Sequence, residues 1–132
     1  YFRSTQRKID GVFSAEVDGK ATDAVLSMKN PINLSNKTNS ILSFSWFIES
    51  NWDAGEYICL DIFSNNAWHN GVPGTIDCID GSSGIGTEEN KWISVNKNLT
   101  NFLTNDFKIR LRAKVSGSEE DGNIDNIIIT SS

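Results

Sequence analysis

Three kinds of side chain in this sequence have the chemistry to act on something: one histidine, two groups of carboxylates, and aromatic rings set among amides and glycines. His69 is the only histidine, so a metal centre built on several imidazoles is excluded, and a Ser-His-Asp arrangement would have to use it. No Gly-x-Ser-x-Gly elbow accompanies it. The glycine run Gly81-Ser82-Ser83-Gly84-Ile85-Gly86 lacks the Lys-Ser/Thr ending of a phosphate cradle, and no helical pattern follows it. It reads as a turn. Glycoside hydrolysis would need two carboxylates held across a cleft, which a domain of this size rarely provides. The chain therefore reads as non-catalytic.

The carboxylates point elsewhere. Glu119, Glu120, Asp121 and Asp125 gather around Gly122, while Glu16, Asp18 and Asp23 gather near the other end. Hard oxygen donors on loops suit Ca2+, which takes six to eight such ligands in adaptable geometry. The spacing does not match a helix-loop-helix calcium loop, and two solvated acidic turns are the competing reading. Aromatic rings offer amphipathic surfaces that stack on sugars or anchor protein interfaces. Trp46 falls in phase with Leu42, Phe44 and Ile48 and belongs in a core. Trp52 and Trp68 stand in Asn- and Gly-rich stretches beside Asn51, Asp53, His69 and Asn70. Trp52, Trp68, His69 and Asn70 are thus the expected ligand contacts, with both rings exposed.

The elements that must position these residues are strands, because the apolar period is two almost everywhere. Leu42, Phe44, Trp46 and Ile48 alternate with Ser43, Ser45 and Glu49; Phe107, Ile109, Leu111, Ala113 and Val115 alternate with Lys108, Arg110, Arg112 and Lys114. Further strands are expected at Val12 to Val17, Ala24 to Met28, Tyr57 to Phe63, Thr75 to Ile79, Lys91 to Val95 and Asn123 to Thr130, each bounded by turn residues. That makes about eight. Only Leu99 to Phe107 has room for a helical turn. Short strands without crossover helices mean an all-β antiparallel sandwich or barrel, and residues 1–132 read as one domain. If Tyr57 to Phe63 pairs with Thr75 to Ile79 as a hairpin, Cys59 and Cys78 come nearly opposite and a disulfide is geometrically open to them. Two buried thiols are the alternative.

Composition bounds the partners. A net charge of −5 and a pI near 4.8 lack the basic footprint of a nucleic-acid binder. The apolar stretch Ile41 to Ile48 is far too short to span a bilayer, so no membrane insertion is expected. The chain begins at Tyr1 without a Met, as an excised domain or mature product would. Sequons at Asn33, Asn36 and Asn98 are compatible with secretion but no more frequent than chance allows.

From about Ala24 onward, the succession SFSWFIES, DAGEYICLDIFSNNAW, NKWISVNKNLTNF, FKIRLRAKV and EEDGNIDNIIIT resembles the jelly-roll, carbohydrate-binding-module-like domains of bacterial and archaeal surface proteins and glycoside hydrolases. It is also similar to extracellular domains of the MAM type. The resemblance implies a jelly-roll sandwich whose closing strand pairs with the first. It implies a structural Ca2+ with Asp125 as one ligand, to which Glu16, Asp18, Asp23 and Asp121 would add oxygens. It also marks Trp92 as a packing residue. The expected function is a secreted or cell-surface binding and adhesion module that meets a glycan or a cell-surface protein. The alternative is a structural module of a surface layer, pilus or virion. A concave, polar-rimmed groove would favour the first, and a flat apolar patch the second.

Overall fold

The computed structural model of the chain describes residues 1–49, 52–81 and 89–132. In chain order the strands are β1 (Phe2–Ser4), β2 (Ser14–Val17), β3 (Ala21–Ser27), β4 (Ser40–Ile48), β5 (Tyr57–Ser64), β6 (Ala67–His69), β7 (Cys78–Asp80), β8 (Trp92–Asn98), β9 (Lys108–Val115) and β10 (Gly122–Ser131). A 3-10 turn at Thr100–Phe102 falls inside the one stretch expected to hold one. The first sheet runs β1-β2-β10-β4-β8; the second runs β3-β9-β5, with β6 and β7 paired to the same outer edge of β5. All pairings are antiparallel. The chain is an all-β sandwich, and the closing strand does pair with an early one, Gly122 opposite Val17.

Alternation builds the core between the sheets. Leu42, Phe44, Trp46 and Ile48 of β4 face Ile58, Leu60 and Ile62 of β5 and Ile109, Leu111, Ala113 and Val115 of β9 in one buried cluster. The intervening residues of β4 and β9 point away from that cluster, so each of these strands carries one core row and one outward row. Two strands escape the sequence pattern, β1 and β6, each only three residues long. The segment expected at Thr75 to Ile79 pairs only from Cys78, because Thr75 to Asp77 turn back toward β5. Val12 lies outside β2 and is 61% exposed. Cys59 and Cys78 sit directly opposite, with Cα atoms 4.1 Å apart, and are joined by a disulfide.

Residues 5–13 form a strap over one end of the first sheet's outer face. Arg7 pairs with Glu49 and stands over the Phe47 ring at 4.8 Å. The Ile9 and Asp10 amides donate to one oxygen of Asp125, at 2.6 and 3.1 Å. Past Asp125 a bulge with Asn126 at φ 58° shifts the register, and the rest of β10 pairs with β4 alone. Asn tolerates this left-handed conformation better than most side chains. Beyond Gly81 the glycine run lies outside the described residues.

Candidate functional site

The outward rows of β4, β8 and β10 make a groove. Ser43 pairs with Asn96, Ser45 with Ser94 and Phe47 with Trp92 across β4 and β8. The Ser43 hydroxyl donates to Asn96 Oδ1 at 2.8 Å, and the Ser45 and Ser94 hydroxyls lie 3.2 Å apart. With Asn126 they line a cavity of about 200 Å3 that carries no charged side chain. At one end the Phe47 and Trp92 rings meet at 5.7 Å between centroids. Trp92 is half-buried and stands outside the core cluster, against which its neighbours Ile93 and Val95 pack instead. Hydroxyls and amides beside an accessible indole offer both hydrogen bonds and a stacking face, the combination a sugar ring requires.

The residues expected to touch a ligand are dispersed. Trp52 is 3% exposed and belongs to the core, which corrects its expected exposure. Its indole folds inward onto Gly122, where a Cβ would stand 3.0 Å from the ring and 2.7 Å from Ile58 Cδ1. Trp68 lies on β6 rather than in a loop and is half-buried, edge-to-face with Phe63 at 5.2 Å and beneath the Arg110 guanidinium at 4.1 Å. Asn70 shares that side, accepting from Arg110 at 3.1 Å. His69 is exposed but turned to the other side of β6, edge-on to Phe102 at 5.4 Å. Trp68 and Asn70 thus belong together, apart from His69 and Trp52.

The acidic residues divide in the same way. Carboxylate oxygens of Glu16, Asp18 and Asp121 come within 4.8 Å of one another at the strap end of the first sheet. Burial, followed by the nearby Asp18 and Glu49 carboxylates, pushes the Asp121 carboxyl up to about 7. Asp121 Oδ1 and Asn123 Oδ1 are buried without a hydrogen-bond partner among the described residues, and Asn123 Nδ2 is held by Glu16 at 2.8 Å. Crowded, desolvated oxygens of this kind suit a hard cation. Asp125 is not among them, because its carboxylate accepts the strap amides and the Asn126 amide. Asp23 is on the second sheet, where it accepts from the Tyr57 hydroxyl at 3.2 Å and lies 4.0 Å from Arg112. A second trio, Asp53, Glu56 and Glu120, lies as close together, but there Glu56 and Glu120 accept from the Ser116 amide at 2.8 and 3.0 Å.

Sequence reasoning missed the groove itself. Ser43 and Ser45 read only as the polar face of a half-buried strand, and Trp92 as a packing residue. Its signal is phase: Ile93 and Val95 face inward, so Trp92, Ser94 and Asn96 face outward.

No protein-family model matches the chain, and no curated protein does. Among solved structures it is similar to "Family 16 Carbohydrate Binding Module-2", with a TM-score of 0.61 at 17% identity over 97% of this chain and 83% of that one. It is also similar to "Xylan-Binding Domain from CBM 22, formally x6b domain", with a TM-score of 0.53 at 13% identity over 98% and 80%. At such identities the likeness establishes the fold alone: this chain shares the two-sheet β-sandwich fold of those domains.

Proposed function

We propose that this chain is a non-catalytic extracellular carbohydrate-binding module that holds an uncharged polysaccharide in the groove between β4, β8 and β10. The observation that carries the reading is the Trp92 and Phe47 pair beside an uncharged floor of Ser43, Ser45, Ser94, Asn96 and Asn126. Both structural neighbours are carbohydrate-binding domains by name, which supports it, and the disulfide fits an oxidising compartment. Affinity electrophoresis through gels containing xylan, mixed-linkage glucan or mannan tests it. Retardation by at least one polymer, abolished in Trp92→Ala, is the expected result; a parent chain that no neutral polymer retards would overturn the reading.

The Glu16, Asp18 and Asp121 corner is proposed to hold one structural Ca2+. The ion would offset the repulsion of three carboxylates and tie β2 to β10. A second reading, assembly into a larger surface structure, is favoured by an apolar cleft of about 510 Å3 at the sandwich edge. Leu26, Met28, Ile32, Ile127 and Ile129 line it. Sedimentation separates the two: a concentration-dependent oligomer lost in Ile127→Asp would support assembly, and a monomer at all concentrations would remove it.

A further inference from the structure

The second sheet's outer face carries a feature the groove does not use. In a chain with a net charge of −5 and only 12 basic residues, Lys108, Arg110, Arg112 and Lys114 line up on the surface row of β9. Successive members are two residues apart, roughly 6.5–7 Å along the strand, and like charges so placed repel. One acid lies beneath them. Asp61 is fully buried and receives Arg110 Nε at 2.8 Å, Arg112 Nε at 3.0 Å and the Gly71 amide at 2.9 Å. Asp23 reaches Arg112 only at its 4.0 Å edge, and Asp106 receives the Asn65 and Asn66 amides.

Lys108 and Lys114 have no carboxylate partner among the described residues. Lys108 is nonetheless placed, because its ammonium stands over the Phe63 ring at 4.8 Å and the Trp68 ring at 5.8 Å. Arg110 stands over the Trp68 ring at 4.1 Å and is held by Asp61 and Asn70. Two cations are thus held on an aromatic floor with donor capacity left over, so little ordering entropy remains to be lost when an anion arrives.

We infer that the Lys108, Arg110 and Lys114 row, with Trp68 beneath it, is a second binding face for an anionic polysaccharide. The repeated cations meet carboxylate or sulfate groups, and the rim of the Phe63 and Trp68 rings meets the sugar carbons. This inference does not depend on the neutral-glycan reading of the groove. Calorimetric titration of the intact chain with polygalacturonate, heparin and neutral xylan tests it. Binding of polygalacturonate assigns a carboxylate ligand, and binding of heparin without polygalacturonate a sulfate; either supports the inference. Raising NaCl from about 20 to about 300 mM should weaken the interaction strongly. The variant Lys108→Met/Lys114→Met keeps an apolar side chain at both positions, over the Phe63 and Trp68 rings at position 108, and removes the charges. Its affinity for the polyanion should fall about tenfold or more, with xylan binding and melting temperature unchanged. Trp92→Ala should do the opposite, losing xylan alone, so failure of one site is distinguishable from failure of the other. Polyanion affinity unchanged in the double variant, no binding of either polyanion at low salt, or equal binding of single-stranded DNA would each overturn the assignment.

Discussion

The Trp92 ring has Phe47 against one side and the Ser94 hydroxyl two positions along the same row. Removing the ring should cost about 2 kcal/mol of glycan binding, as a central aromatic contact does. The melting temperature should move little, since the core cluster does not include this residue. Calorimetry and a thermal melt on Trp92→Ala check both halves. Asp121 supports a prediction of its own. An ordinary aspartyl carboxyl near 3.8 is raised to about 7 by burial and by Asp18 and Glu49. The folded chain therefore holds a proton that the unfolded chain releases earlier. Stability from this group is complete below about pH 4 and is lost as pH rises toward 7. In chelator, parent melts should drop between pH 4 and 7.5 more than those of Asp121→Asn; parallel curves would refute the shift. The two tryptophans explain what was legible at this scale. Trp46 reads correctly because three apolar neighbours share its phase. Trp52 reads wrongly because it belongs to no strand. Its inward turn depends on the space left by Gly122, seventy residues away.

Among the elements, β4 and β9 are the most legible, since β9 alternates strictly over eight residues and β4 keeps Leu42, Phe44, Trp46 and Ile48 in one phase. β1 and β6 are not, because three residues carry no period; their strand geometry comes from β2 and β5. The Cys59–Cys78 bridge closes a loop with a sequence separation of 19 and fastens three-residue β7 to β5. Its replacement by Ser at both positions should cost about 3 kcal/mol in denaturant unfolding, the loop-closure value for this length. At the junction of β10 with the core, Gly122→Ala should cost several kcal/mol, on the order of 1–3, because an added methyl meets Ile58 and Trp52. A variant as stable as the parent would mean that the Trp52 ring is free to move aside.

For the molecule as a whole, an ion bound only by the folded chain stabilises it by about 2.7 kcal/mol at a hundredfold excess over Kd. Thermal melts should therefore rise with Ca2+, and Glu16→Gln should abolish that rise. Asp125→Ala should instead lower the melting temperature equally with Ca2+ and with chelator, because that carboxylate fastens residues 5–13. The sequence revealed that both ends of the chain were acidic, but not which acids meet. Pairing register brings Glu16, Asp18 and Asp121 together and turns Asp125 to the strap, and register is a property of the assembled sheet. The two sheets stand back to back, so their outward rows look in opposite directions with only the sandwich between them. A single chain that is occupied on both sides becomes a rivet between two polymers. Added to a mixture of xylan and polygalacturonate, it should raise the viscosity of the blend far more than that of either polymer alone.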